Sequence, residues 1–228
     1  MTHALPEAIL WDLDGTLVDT EPLWIEAERE LVTSHGGTWT HEDALTLVGK
    51  ALEDSASILI ARGVAMTPAG VVDHLVARVN DRVANEGPEW RPGARELVAE
   101  AARAGVPQAI VTMSYRVQAD LIASLLPDGA IATVVAGDMV TRGKPDPEAY
   151  LTAADALGVD ITRCIAVEDS VTGSAAAAAS GARAVVVPHL VDVPPHPALA
   201  RAETLAGLSL AELVELASTT TPVDRVGA

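Results

Sequence analysis

Asp12 and Asp14 stand two residues apart at the end of a short apolar run, Ala8-Ile9-Leu10-Trp11, and Gly15 follows them. The run reads as a buried strand that delivers two carboxylates at its C-terminal end. Three further positions share that placement. Thr112 ends the apolar run from Gln108, Glu168 and Asp169 end the run from Cys164, and Lys144 follows a third run in Gly143-Lys144-Pro145-Asp146-Pro147. A parallel sheet binds its ligands at the C-terminal ends of its strands, so four acids, one hydroxyl and one lysine converge on one edge. Clustered carboxylates do not all stay ionised without a cation between them. Oxygen donors with no Cys or His among them suit Mg²⁺, which keeps room for water and phosphate oxygens. Lys144 and Thr112 can hold the remaining phosphate oxygens. A carboxylate nucleophile that forms an aspartyl-phosphate divides a difficult hydrolysis into two easier steps, and positive charge around the transferring group stabilises its transition state.

The elements that must position these groups are regular. Beyond residue 90 the pattern predicts helices over 94–104, 114–126, 147–157, 171–180 and 208–217. They alternate with strands over 108–112, 131–136, 164–167 and 182–187, the last strand expected. Near-continuous apolar strands alternating with helices predict an α/β fold: a doubly wound parallel sheet with a Rossmann-like core. Between the first strand and this series the spacing of Leu23, Ala27, Leu31, Ile58, Leu59, Val71, Val72, Leu75 and Val79 is helical, with no strand run. The expected organisation is a core from 1–18 and 91–228 with an inserted all-helical cap over 19–90. The two crossings, 18–21 and 86–92, are the expected hinges of cap motion. The tail 218–228 is polar and expected to fray.

The 228 residues carry a formal net charge of −17, which argues against nucleic-acid binding by a basic surface. Aromatics make up 3% and Phe is absent, so the core must be built from Ala, Val, Leu and Ile. No apolar run has the length of a membrane span, and the first residues lack the basic and apolar regions of a signal peptide. The single cysteine, Cys164, lies in an apolar run and reads as a buried structural thiol; its solitude fits a reducing compartment, so a cytoplasmic location is expected. One chain holds every candidate residue, so a monomer suffices.

Asp12-Leu13-Asp14-Gly15-Thr16-Leu17-Val18-Asp19-Thr20 resembles the first motif (DxDGT) of the haloacid dehalogenase-like superfamily. Thr112, Lys144 in Gly-Lys-Pro-Asp-Pro, and Val167-Glu168-Asp169-Ser170 are similar to its second, third and fourth motifs, in the right order. The chain resembles the branch with a helical cap after the first motif, which includes β-phosphoglucomutases and sugar-phosphate phosphatases. The resemblance implies Asp12 as nucleophile and Mg²⁺ ligand. It implies Asp14 as the general acid and then base, with its backbone carbonyl on the metal. Thr112, the Met113 N–H and Lys144 would hold the phosphoryl group. Asp169 would complete the metal site, with Glu168 a direct or water-mediated ligand. Dehalogenases of this superfamily expel halide and lack the second aspartate, so Asp14 favours phosphoryl chemistry, where an alkoxide must be protonated.

The expected function is a Mg²⁺-dependent phosphatase acting on a small-molecule phosphate ester, a sugar or polyol phosphate. The alternative is a β-phosphoglucomutase-like mutase. Such mutases carry a cap histidine where Trp24 stands and a cap arginine where Leu52 stands. Lys50, in Leu47-Val48-Gly49-Lys50, lies in a loop that selects substrate in capped relatives, and is a candidate substrate contact beside the simpler reading of a solvated lysine. Trp24 reads as cap core. A receiver domain uses similar groups, but places its acidic pair first and its phosphorylated aspartate on a later strand. A silent phosphate-binding protein on this fold is the remaining alternative. An EF-hand fails because Leu17 and Leu23 occupy its Gly and Glu positions. A P-loop fails because Pro145 replaces its Ser/Thr.

Overall fold

The computed structural model describes residues 4–47, 50 and 52–220. Residues 1–3, Val48 and Gly49 of the Lys50 loop, Ala51, and 221–228 of the polar tail lie outside the described residues. The chain forms two compact units, Met1–Asp19 with Glu89–Ala228, and Thr20–Pro88. The first unit opens with β1 (Ile9–Trp11) and β2 (Val18–Asp19). The second unit follows, with α1 (Glu21–Ser34), α2 (His41–Leu45), α3 (Leu52–Ala61) and α4 (Pro68–Glu86). The chain then returns through β3 (Glu89–Trp90), α5 (Ala94–Arg103), β4 (Gln108–Val111), α6 (Arg116–Ser124), β5 (Thr133–Val135) and α7 (Glu148–Leu157). It ends with β6 (Ile165–Glu168), α8 (Val171–Ser180), β7 (Arg183–Val186), β8 (Leu199–Arg201) and α9 (Leu210–Ala217).

Six strands form one sheet in the order β5-β4-β1-β6-β7-β8, and every pairing is parallel. This is the expected doubly wound, Rossmann-like core. β1 is central, with β4 on one side and β6 on the other, so the winding reverses there. The C-terminal ends of β4, β1 and β6 therefore flank the switch-point crevice where such sheets take ligands. Their residues are buried on both faces, which accounts for the continuous apolar runs. Small residues let helices sit close to the sheet: Ala176 and Ala177 of α8 and Ala149, Ala153 and Ala154 of α7 pack with Leu10, Ala109, Val111 and Ala166. Trp11 Nε1 donates to Gln108 Oε1 at 2.9 Å, and Gln108 Nε2 donates to the Val98 and Ala130 carbonyls, so this buried polar pair is satisfied. Cys164 is buried, and its Sγ donates to the Asp160 carbonyl at 3.3 Å.

Two features of the strands differ from the sequence reading. The strand over 182–187 is not the last, because β8 adds a sixth parallel strand beside β7. It is three residues long and follows Pro194, Pro195 and Pro197, a stretch whose composition signals loop. At the crossing between the units, β2 and β3 form an antiparallel pair, with Val18 opposite Trp90 and Asp19 opposite Glu89. Two-residue strands carry too short a pattern to be read.

The second unit is all helical. Val71, Leu75, Val79 and Val83 recur every four residues along one buried face of α4. Thr67 caps α4 by accepting from the Gly70 N–H, ahead of Pro68 in the first turn. Thr40 and Asp43 form a capping box on α2. Arg78 and Arg82 of α4 reach Glu30 of α1 at 2.8 and 2.6 Å. The enclosed tryptophan of this unit is Trp39; Trp24, expected in its core, is half-buried, because it lies on the first turn of α1 ahead of the buried Ala27 and Leu31. No helix among the described residues is long and apolar enough to cross a membrane.

Candidate active site

Asp12 leaves β1 with its N–H on the Val167 carbonyl, 3.0 Å away, so the neighbouring strand sets its backbone. The chain then turns sharply. The Leu13 carbonyl accepts from the N–H groups of Leu17 and Val18, and Gly15 adopts φ +89°. A Cβ at Gly15 would also fall 2.0 Å from Asp169 Oδ2, so glycine is required there twice over. The turn carries Asp14 toward the end of β4. Ser114 Oγ donates to Asp14 Oδ2 at 2.5 Å, and Thr112 Oγ1 lies 3.5 Å from the same oxygen. Thr112 Oγ1 in turn accepts from the Ser114 N–H at 3.0 Å.

Lys144 enters from the segment after β5. Its Nζ donates to Asp12 Oδ1 at 2.6 Å, Glu168 Oε1 at 2.6 Å and the Val111 carbonyl at 2.9 Å. An ammonium has three N–H donors, and all three are matched. Its side chain is 4% exposed. Burial disfavours its charge, but Asp12 and Glu168 outweigh that and hold its pKa above the ordinary lysine value. Glu168, the last residue of β6, is fully buried. Its Oε1 also accepts from Tyr150 Oη at 2.6 Å, and its Oε2 from Ser170 Oγ at 3.3 Å. A Cβ at Gly173 would fall 2.0 Å from Oε2, so α8 closes on this carboxylate through a glycine.

Asp12, Glu168 and Asp169 each offer a carboxylate oxygen, and these lie within 4.8 Å of one another. One ammonium faces three carboxylates, and the deficit shows in the proton affinities of Asp12 and Asp169. Burial first, then Glu168 and Asp169, push Asp12 well above the usual range against the pull of Lys144. Burial and Glu168 push Asp169 up to about 7, again opposed by Lys144. A divalent cation would relieve this repulsion, and an all-oxygen donor set fits Mg²⁺.

The structure thus brings together Asp12, Asp14, Thr112, Lys144, Glu168 and Asp169. Met113 is exposed on the same loop as Thr112, and its Sδ accepts from the Lys144 N–H at 3.3 Å. Lys50 lies in the helical unit, exposed, with its N–H on the Leu47 carbonyl. Sequence reasoning missed Ser114, Ser170 and Tyr150. Ser114 and Ser170 each follow a motif residue within two positions. Tyr150 had a signal too: it is one of two tyrosines in the chain, and it lies in the first turn of the helix after Lys144.

Carboxylates gathered around a buried lysine at the switch point of a parallel sheet make this the candidate active centre of an α/β protein. A family model described as haloacid dehalogenase-like hydrolase matches residues 6–181. Protein CbbY of Rhodobacter capsulatus is 35% identical over 195 residues, covering 80% of this chain and 85% of that protein. Hexitol phosphatase B of Escherichia coli is 30% identical over 185 residues, covering 79% of this chain and 83% of that protein. The crystal structure of CbbY from Rhodobacter sphaeroides in complex with xylulose-(1,5)bisphosphate matches with a TM-score of 0.79 at 28% identity, covering 92% of this chain and 99% of that one. The chain belongs to the haloacid dehalogenase-like hydrolases.

Proposed function

We propose that this enzyme is a phosphatase that hydrolyses small phosphomonoesters, in particular sugar or polyol phosphates, through an aspartyl-phosphate on Asp12. The observation that carries this reading is the Asp12 carboxylate at the end of the central strand, 2.6 Å from the Lys144 ammonium, with Asp14 beside it. Two similar proteins, one named a hexitol phosphatase and one solved in complex with xylulose-(1,5)bisphosphate, support the substrate class.

In the first step an Asp12 carboxylate oxygen attacks phosphorus and the bond to the leaving oxygen breaks. Asp14, protonated, gives its proton to that oxygen, so an alcohol departs. In the second step Asp14, now a carboxylate, takes a proton from water as the water oxygen attacks the same phosphorus. The bond to Asp12 breaks, releasing inorganic phosphate and restoring both aspartates. Lys144, the Thr112 hydroxyl and the Met113 N–H hold phosphoryl oxygens through both steps. Asp12, Glu168, Asp169 and the Asp14 backbone carbonyl would hold Mg²⁺, which supplies positive charge against the phosphoryl oxygens when bound. The inserted segment, residues 19–90, serves as the substrate-selecting cap, and Lys50 is its candidate contact with the ester.

The test is phosphate release across a panel of phosphate esters, with and without Mg²⁺, for the wild type and Asp12→Asn. Mg²⁺-dependent release that the substitution abolishes supports the assignment. Turnover by a folded Asp12→Asn variant would remove the nucleophile. A glucose-1-phosphate assay primed with bisphosphate, run alongside, separates hydrolase from mutase.

A further inference from the structure

Tyr150 is fully buried on the first turn of α7, among Leu10, Val111, Ala166 and Ala176. An apolar ring would fill that space, and a buried phenol requires a partner for its hydroxyl. The partner is a carboxylate oxygen of the site, Glu168 Oε1, at 2.6 Å. That oxygen also accepts from Lys144 Nζ at 2.6 Å, so both of its lone pairs are engaged. Among the described residues, the donor to the other oxygen, Oε2, is Ser170 Oγ at the longer distance of 3.3 Å. Gly173 closes the space behind the carboxylate, where a Cβ would lie 2.0 Å from Oε2. The Tyr150 ring also faces the Lys144 ammonium, 5.2 Å from Nζ to its centroid.

We propose that Tyr150 is a positioning residue for the metal site: its hydroxyl pins one oxygen of Glu168 and leaves the other available to a divalent cation. The inference rests on the reading of Asp12, Glu168 and Asp169 as metal ligands, and it adds a residue that touches neither substrate nor metal. Hydrogen bonds to ligating carboxylates fix their orientation, and losing one typically weakens metal binding without removing a ligand. Tyr150→Phe keeps the ring, its packing and its face toward Lys144, and deletes only the donor.

The probe is Mn²⁺ binding to the purified full chain without substrate, followed by electron paramagnetic resonance, with Mg²⁺ as competitor. Tyr150→Phe is expected to weaken Mn²⁺ binding by about 10–100-fold. The KM for p-nitrophenyl phosphate at saturating Mg²⁺ should stay within about threefold of wild type, since the hydroxyl acts on the metal's ligand and not on the ester. Tyr150→Met, which fills the space without a donor, should give the same loss and covers the case of a poorly folded Phe variant. Affinity within about threefold of wild type in a folded variant would overturn the proposal. Asp169→Asn separates the two levels. If it loses Mn²⁺ and Tyr150→Phe does not, only the role of Tyr150 fails. If Asp169→Asn binds Mn²⁺ like wild type, the metal-site reading fails with it.

Discussion

Lys144 Nζ lies 2.6 Å from Asp12 Oδ1, joining residues 132 positions apart, and the same nitrogen reaches Glu168 at 2.6 Å. Removing one partner of a buried ion pair strands the other charge away from water. Lys144→Met should therefore cost on the order of 3–5 kcal/mol in EDTA, as two carboxylates lose their counter-ion. Mg²⁺ should restore part of that loss by supplying positive charge beside the same oxygens. Urea unfolding in EDTA and in Mg²⁺ measures both. An equal loss in the two conditions would mean that the cation and Lys144 do not share these carboxylates.

Ser114 Oγ donates to Asp14 Oδ2 at 2.5 Å, which ties Ser114 to the proposed role of Asp14 as proton donor to the leaving group. An alkyl phosphate expels a basic alkoxide, whereas p-nitrophenolate departs without a proton. Asp14→Asn should lower kcat/KM for alkyl phosphates by about 10²–10⁴ and for p-nitrophenyl phosphate far less. Ser114→Ala should show the same asymmetry at about tenfold, the scale of one hydrogen bond to a charged group. The ratio of kcat/KM values for the two esters is the readout, and equal losses on both would exclude a proton-transfer role.

Gly173 sits inside α8, where alanine would ordinarily favour the helix by about 1 kcal/mol. Here the added Cβ would meet Glu168 Oε2 at 2.0 Å. Gly173→Ala should thus displace Glu168 and weaken metal binding by tenfold or more, roughly the cost of losing a ligand's support. Gly36 is the control. It has φ +79° with nothing within 4 Å of the added carbon, so Gly36→Ala should cost about 1–2 kcal/mol through backbone strain alone. Its kcat/KM should not change. Titration calorimetry and thermal melts on the two variants distinguish a crowded carboxylate from a strained backbone.

Glu28 of α1 is 6% exposed, and Trp39 Nε1 donates to its Oε2 at 3.3 Å. Burial pushes its pKa up to about 7; the Trp39 hydrogen bond opposes this and Glu21 adds to it. The folded state therefore keeps a proton that the unfolded chain releases near pH 4–5. This contribution to stability is fully present below the unfolded value and is lost as pH rises through about 7. Glu28→Gln keeps an acceptor for Trp39 and carries no charge to bury. It should stabilise the protein by about 1–2 kcal/mol at pH 8, after allowing for partial solvation, and by little at pH 5. Denaturant melts at the two pH values decide it. A gain that is the same at both would point to packing instead of charge.

Much of the site was legible because a parallel sheet sends its chemistry to strand ends. Asp12, Thr112 and Asp169 directly follow β1, β4 and β6, and Glu168 ends β6, so apolar runs located them without any partner in view. The five longer runs marked the sheet for the same reason, since strands buried on both faces are apolar throughout. What stayed hidden depended on distance through space. Tyr150 drew no reading because its partner, Glu168 at the end of β6, is distant in sequence. Ser114 was read as the start of a helix, with nothing to tie it to Asp14, 100 residues away. β8 was masked by the prolines before it, and Trp24 read as cap core because helical spacing does not say how deeply neighbouring helices enclose a side chain.

The β2–β3 ladder places Asp19 opposite Glu89, which leaves the two ends of the helical segment about 5 Å apart. A gap of that size is what a two-residue hairpin turn spans. Residues 20–88 therefore leave and rejoin the rest of the chain at adjacent positions. A shortened chain with Asn-Gly joining Asp19 to Glu89 would retain every strand of the parallel sheet, and modules from other proteins could be exchanged at the same seam without rethreading the catalytic half.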